Sequence, residues 1–371
     1  MVLHSFRNIE QQEIDFTKKI NVFYGKNGQG KTNLLEAIFL LSAQKSFRSD
    51  TPYEMVQFQK VTSKVGAKVF NQGVTRKIEI EIDKDLHQKK CFIDGKPVRA
   101  TESLTNLRSL LVSQEEFMTL YGKKNDRRRF LDKAVWNFSP TYLSDYRNYE
   151  RVLKQRNSAL RENTFGGQVL LVFDEAFVTY GAKVIFERLR FIKEISALFW
   201  FCFMRVYGEE QKVELCYRIN KEVDKGDKEV LQQESLADLE QLLKEGLRRS
   251  YKEDCLRGYT TMGPHTDDFC IMLMQKEAQK YASQGQKKAL LLAEKLAEVE
   301  LLKTQNIEPV LLLDEVKSDL DDQKIEHLFY QLLMSGCQSF VTTTTPKDVD
   351  FIENKENFEI VSGSVVASKK M

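Results

Sequence analysis

Apolar positions along the chain follow three successive patterns. Up to about residue 110, short β-rich runs alternate with turns. "INVFY" at 20–24 stops at Gly25, and "RKIEIEID" at 76–83 alternates apolar and charged residues as a half-exposed strand does. "CFIDGKPV" at 91–98 reads as strand, Asp-Gly turn and strand. "KTNLLEAIFLLSA", which begins at Lys31, has helical composition with apolar residues at most positions. From about 115 to 255 the pattern changes to long segments poor in proline. There Phe177, Tyr180, Val184, Phe186, Leu189, Ile192, Ile195 and Phe199 recur mainly at three- or four-residue spacing, which predicts packed amphipathic helices. "KVELCYRI" at 212–219 reads as a strand, 220–235 as a polar loop, and 236–249 as a short helix. After 260 the strand–helix pattern returns in "DDFCIMLM", "QKKALLLAEKLAEVELLK", "PVLLLDE" and "SFVTTTT". The arrangement predicts an α/β domain in two parts, 1–114 and 259–371, interrupted by a mostly helical domain at 115–258.

Composition narrows the class. Hydrophobic residues make up 42% and charged residues 30%, as in a packed chain rather than a disordered one. The net charge of +2 means that a polyanionic partner has to be met by local basic patches. Six cysteines contain no C-x-x-C pair, which is poor spacing for zinc and gives no disulfide framework. The opening residues lack the apolar core of a signal peptide, and the ten-residue run "ISALFWFCFM" is too short to span a bilayer. A soluble cytoplasmic protein with no membrane partner is expected.

"GKNGQGKT" at 25–32 fits G-x-x-x-x-G-K-[ST] between a strand and a helix. Gly25, Gly28 and Gly30 let a loop turn its backbone N–H groups inward around a phosphate. Lys31 can reach the β- and γ-phosphates, and the Thr32 hydroxyl can sit on Mg²⁺. The alternative is a glycine-rich turn without a ligand. Such a loop needs a carboxylate at the end of a neighbouring apolar strand, and "VLLLDE" supplies Asp314 for the metal. Glu315, one residue on, can polarise an attacking water. Taken alone, Asp314 could also be a helix cap after a buried strand. A second patch, Ser283-Gln284-Gly285-Gln286, precedes a strongly helical run. It is either a plain helix cap or a group that meets the γ-phosphate held by another copy of the chain.

These elements, in this order, resemble the ATP-binding-cassette ATPases, and the chain from end to end resembles the RecF family, bacterial recombination mediators related to the SMC proteins. The resemblance rests on "FRN" (6–8), "INVFYGKNGQGKTNLLEAIFLLS" (20–42), "KSFR" (45–48), "DRRRFLD" (126–132), "GPHTDDF" (263–269), "YASQGQKKALLLAEKLAE" (281–298) and "LLLDEVKSDLD" (311–321). It implies an SMC-like P-loop ATPase head carrying an inserted helical domain. It implies that Gly25, Lys26, Asn27, Gly28, Gln29, Gly30, Lys31 and Thr32, with Asn33, bind ATP, and that Arg7 and Asn8 lie near the nucleotide. Ser283, Gln284, Gly285 and Gln286 match the signature that completes the site across a dimer. Asp314 matches the metal acid and Glu315 the catalytic acid. Ser318, Asp319 and Asp321 match the D-loop, Thr343 or its neighbours the switch position, and Gln114 a Q-loop glutamine near Mg²⁺ and water.

By the same resemblance the chain is a weak ATPase, an ATP-dependent homodimer that recognises gapped or stalled DNA at the nucleoid. RecO and RecR are the expected partners, with RecA loading as the outcome. Two segments depart from the family pattern: "LLVSQEEF" (111–118) stands where a Pro-Glu pair is usual, and Thr266 replaces an arginine. Candidate DNA contacts are Lys123, Lys124, Arg127, Arg128 and Arg129, with Arg147, Arg151, Lys154 and Arg156 at helical spacing. The competing reading gives these residues to solvated faces and internal ion pairs. His265, beside Asp267 and Asp268, reads as a hydrogen-bonded structural histidine before a metal ligand. The motif set alone also fits the nucleotide-binding subunit of a membrane transporter, but "FRN", the helical insertion and "GPHTDDF" argue against it. A nuclease-associated cassette ATPase would need a further acid-rich domain.

Overall fold

The structure is a computed structural model describing residues 1–71, 73–99, 106–162, 168–219, 235–315 and 322–370. The chain divides into two compact units, Met1–Phe117, Phe201–Glu210 and Ser283–Met371 in one, Met118–Trp200 and Gln211–Ala282 in the other.

The first unit is built on two six-stranded sheets. One is antiparallel, in the order β2 (Ile9–Glu13), β1 (Val2–Phe6), β4 (Thr62–Asn71), β5 (Val74–Asp83), β6 (Gln88–Ile93), β7 (Lys96–Val98). The β6–β7 hairpin turns on Asp94 (φ 50°) and Gly95 (φ 77°), the double left-handed turn that an Asp-Gly pair favours. The other sheet runs β15 (Ser364–Lys370), β14 (Lys355–Val361), β3 (Ile20–Tyr24), β13 (Gln338–Thr343), β12 (Val310–Leu313), β8 (Ser109–Val112). Its strands are parallel except for the β14–β15 pair. Parallel strands buried on both faces read as continuous apolar runs, which is why "VLLL" and "SLLV" show no alternation.

The helix Lys31–Ala43 lies in the core shared by the two sheets. Its Leu34, Leu35, Phe39 and Leu41 cluster with Val65, Ile78, Ile80 and Ile82 of the antiparallel sheet and with Phe23, Leu312, Phe340 and Phe358 of the parallel one. Burial on nearly every face explains why this helix has no polar stripe. The helix Gln284–Thr304 is equally enclosed, with Glu294, Lys295 and Glu298 inside it. Lys295 Nζ lies 3.0 Å from Glu294 and also pairs with Glu298. Burial followed by the Glu298 charge pushes the Glu294 carboxyl well above its ordinary value.

The second unit is mainly helical: Lys124–Phe138, Tyr142–Glu162, most of Gln168–Tyr207, and Leu236–Arg257. The last of these starts at a reciprocal Ser235–Asp238 cap and ends at Gly258 (φ 69°), one turn or more beyond the expected stop at 249. The unit also holds a three-stranded antiparallel sheet, β11 (Lys276–Glu277), β10 (Asp268–Leu273), β9 (Val213–Arg218). The pairing of β9 with β10 holds 259–282 in this unit. The boundary expected at 259 therefore falls at Ser283, and 201–210 groups with the first unit. Among the described residues no helix is long and apolar enough to cross a membrane, and the six cysteines form no disulfide.

Candidate functional site

β3 delivers the chain into the glycine loop, and Lys31 opens the following helix. Gly25, Gly28 and Gly30 have φ of 148°, 78° and 109°, all in left-handed territory. Two of them are also crowded. A Cβ at Gly25 would lie 2.4 Å from the Ile360 carbonyl oxygen, and one at Gly30 would lie 2.7 Å from Asn8 Oδ1. The loop is held from outside through Gln29. Its carbonyl accepts from Asn8 Nδ2 at 3.2 Å and from Gly363 N at 2.8 Å, and its Oε1 accepts from Ser362 N at 2.7 Å. Asn33 Nδ2 donates to Asn8 Oδ1 at 2.8 Å, and Arg48 donates to Asn33 Oδ1 at 2.8 Å. Sequence reasoning passed over the β14–β15 turn, because its grip on the loop comes from backbone groups.

Lys31 Nζ donates to the carbonyls of Gly25 (2.7 Å) and Lys26 (3.0 Å), so the ammonium is folded over the loop it follows. Burial lowers its pKa, opposed by the Glu315 and Asp314 charges. Thr32 Oγ1 donates to Asp314 Oδ1 at 3.0 Å. Asp314 stands at the end of β12 with its backbone N–H on the Val112 carbonyl, 2.9 Å away. Burial raises its carboxyl above the ordinary range, hydrogen bonds from Thr342 and Thr32 pull it down, and Glu315 and Glu115 push it up. Glu315 follows at φ 50°. Gln114 is exposed at the start of the helix Gln114–Leu120, just past the end of β8, the strand beside β12.

A hydroxyl and a carboxylate sharing one hydrogen bond at the mouth of a phosphate-type loop are hard oxygen donors suited to Mg²⁺, which keeps waters and phosphate oxygens as its other ligands. Among the described residues no group of three or more His, Cys, Asp or Glu could hold a metal ion.

Ser283 caps the helix Gln284–Thr304. Its Oγ accepts from Gln286 N at 3.2 Å, and its own N–H donates to Gln286 Oε1 at 2.9 Å. Ser283 and Gln284 are exposed, and Gly285 and Gln286 are half-buried. The patch is a helix cap in geometry, with Gly285 in the first turn. Ser318, Asp319 and Asp321 lie outside the described residues.

The structure gives partners to three sets of the expected site residues. Arg7 makes a bidentate contact with buried Glu36, Nε–Oε2 2.8 Å and Nη2–Oε1 2.6 Å, and donates to the Glu54 carbonyl at 2.8 Å. Nε and Nη2 thus tie it to the phosphate-loop helix. Of the positions read as the switch, Thr343 or its neighbours, Thr343 turns to Asp348 Oδ2 (2.5 Å) and Thr342 faces Asp314 at 2.6 Å. Among the basic candidates, Arg127 is buried on Asp268 and Arg156 is fully buried on Asp174 and Asp254. Arg128 is half-buried, with its guanidinium on the Asp267 carbonyl and Asn125. Arg127 and Arg156 are internal, because a buried guanidinium has to be paired. Lys123, Lys124, Arg129, Arg147, Arg151 and Lys154 are exposed. His265 is held between Tyr149 and the Thr260 carbonyl, and Thr266 Oγ1 donates to the Gly263 carbonyl.

Known proteins match along the whole chain. The family model for the RecF/RecN/SMC N terminal domain matches residues 1–364. The DNA replication and repair protein RecF of Geotalea uraniireducens (strain Rf4) is 36% identical over 98% of both chains. That of Staphylococcus epidermidis (strain ATCC 12228 / FDA PCI 1200) is 33% identical over 98% of both. A solved structure of the recombination mediator protein RecF-ATP in the RecFOR pathway superposes with a TM-score of 0.85 at 31% identity, covering 100% of this chain and 96% of that one. An SMC head bound to the C-winged helix domain of ScpA, 15% identical at a TM-score of 0.58, shares the fold. The architecture is thus the SMC-type ABC ATPase head with an inserted, mostly helical second domain. The chain belongs to the RecF family.

Proposed function

We propose that this RecF-family chain is an ATP-dependent DNA-repair protein: it binds ATP on the loop at 25–32, dimerises in that state and engages duplex DNA. Its work lies in DNA replication and repair, as for its relatives. The observation that carries the ATP site is the meeting of the glycine loop, Lys31 and the Thr32–Asp314 pair at one end of the parallel sheet. The RecF-ATP relative supports the ligand.

In this reading the loop N–H groups and Lys31 take the phosphates, with Lys31 exchanging its carbonyl contacts for phosphate oxygens. Thr32 and Asp314 would hold Mg²⁺, which when bound neutralises charge building up on the transferred phosphoryl group. The Glu315 carboxylate orients the attacking water and accepts its proton, with Gln114 as a second water contact. Gln29, Asn8 and Asn33 keep the loop in register. The Ser283–Gln286 patch completes the site of a second copy, with the N-terminus of its helix facing the γ-phosphate. Lys123, Lys124, Arg129, Arg147, Arg151 and Lys154 are the exposed residues available for DNA phosphates. RecO and RecR are the proposed partners and RecA loading the proposed outcome, in the cytoplasm. The full-length match leaves a transporter subunit disfavoured.

Sedimentation with Mg²⁺ in the absence of nucleotide, with ADP and with ATP tests this reading, with Ser283→Arg alongside and a short duplex added last. Dimers specific to ATP, lost in Ser283→Arg and able to retain duplex, are expected. A monomer in ATP that binds duplex equally in every state overturns the composite dimer.

A further inference from the structure

Thr342, one of the neighbours of Thr343 among which the switch position is expected, stands inside the site. It is fully buried on β13. Its Oγ1 is 2.6 Å from Asp314 Oδ1 and 2.9 Å from Glu315 N. The directions follow from the chemistry: an ionised carboxylate only accepts, so the Thr342 hydrogen goes to Asp314 and its lone pair takes the Glu315 N–H. One hydroxyl thus ties the side chain of one acid to the backbone of the next. Glu315 sits at φ 50°, which a residue with a Cβ adopts only where its surroundings hold it there. Its carbonyl accepts from Lys288 Nζ, 3.5 Å away, on the helix Gln284–Thr304. Strand register selects Thr342: β12 and β13 run parallel with Leu313 opposite Val341, so the next pair, Asp314 and Thr342, share a face.

We propose that Thr342 is a positioning residue for ATP hydrolysis, fixing the direction of Asp314 Oδ1 and turning the backbone of Glu315 so that its carboxylate is aimed at the attacking water. The proposal rests on the ATPase reading above. Without the hydroxyl, the Asp314 carboxylate retains its Thr32 hydrogen bond but loses that of Thr342, and Glu315 loses this acceptor of its N–H. Binding of the nucleotide phosphates, which falls to the loop and Lys31, is left intact. The loss is therefore confined to turnover.

The test uses the full chain with Thr342→Val, which keeps the shape without the hydroxyl, and Thr342→Ser, which keeps the hydroxyl. Mg²⁺-dependent ATP turnover, binding of a fluorescent ATP analogue, urea unfolding and amide exchange of the peptide containing Glu315 are measured on each. Thr342→Val is expected to lower kcat about ten- to a hundredfold with KM and analogue affinity little changed. In the nucleotide-free protein it is expected to speed exchange at Glu315, with Thr342→Ser close to wild type in both readouts. Equal turnover and exchange in Thr342→Val and wild type overturn the positioning role alone, as does a Thr342→Ser variant as impaired as Thr342→Val. No turnover by the wild-type chain overturns the ATPase reading and this proposal with it.

Discussion

Arg127 forks onto Asp268, with Nε 2.9 Å from Oδ1 and Nη2 2.7 Å from Oδ2, in the interior of the second unit. A third contact runs from Nη1 to Gln279 Oε1 at 2.9 Å. The guanidinium therefore joins the helix Lys124–Phe138 to β10 and to the segment before the signature patch. Removing one side of a buried pair strands the other charge. Arg127→Ala is expected to cost about 3–5 kcal/mol in urea unfolding. Arg129→Ala, two residues along and exposed, should stay within about 0.5 kcal/mol. Equal effects of the two would mean that Asp268 finds another partner.

The Arg7–Glu36 pair makes a related prediction in the first unit. Glu36 is fully buried, and Arg7 itself holds φ 53°. Arg7→Lys keeps a charge but loses the two-pronged contact and the bond to the Glu54 carbonyl. A loss of about 1–3 kcal/mol is expected for Arg7→Lys, and about 3–5 kcal/mol for Arg7→Ala, both by urea unfolding.

The loop glycines separate backbone strain from collision. An alanine at Gly28 meets nothing within 4 Å and carries only the left-handed penalty of about 1–2 kcal/mol. At Gly25 the new methyl would lie 2.4 Å from the Ile360 carbonyl, and a backbone atom cannot rotate away. Thermal unfolding should therefore rank Gly25→Ala well below Gly28→Ala. The reverse order would mean that β14 is free to shift away from the loop.

What could be read from the sequence depended on how local each cause is. The glycine loop was legible because its three left-handed positions can be filled cheaply only by glycine, which leaves the spacing visible in 25–32. The Asp-Gly hairpin at 94–95 was legible for the same reason. The face of the "TTTT" run was not. Four threonines carry no parity of their own, and the choice of Thr342 over Thr343 follows from the register of β13 on β12. Arg127 resembled a phosphate contact because its partner lies 141 residues away along the chain. The boundary at Ser283 was hidden likewise, since it follows from the β9–β10 pairing of 213–218 with 268–273.

His265 supplies the pH prediction. Its Nε2 is 3.0 Å from the Thr260 carbonyl oxygen, which only accepts, so Nε2 carries the hydrogen. In the neutral ring Nδ1 is then bare and accepts from the Tyr149 hydroxyl at 2.5 Å. Both ring nitrogens are satisfied without a charge. Burial lowers the pKa to about 4, and the charges of Arg128 and Arg188 act in the same direction against the Thr260 hydrogen bond and Asp254. The ordinary histidine value is 6.5. Between these two values the unfolded chain takes up a proton that the folded chain refuses. The contribution of His265 to stability is therefore complete above about pH 6.5 and is lost as the pH falls towards 4, by up to about 3 kcal/mol. Carboxylates titrate in the same window, so the informative quantity is the difference from a variant. Urea unfolding of wild type and His265→Gln at pH 7.5, 6, 5 and 4.5 should give curves that converge as the pH falls, with the wild type steeper by up to one proton. Parallel curves would mean that the folded protein accepts the proton at His265 as readily as the unfolded chain does.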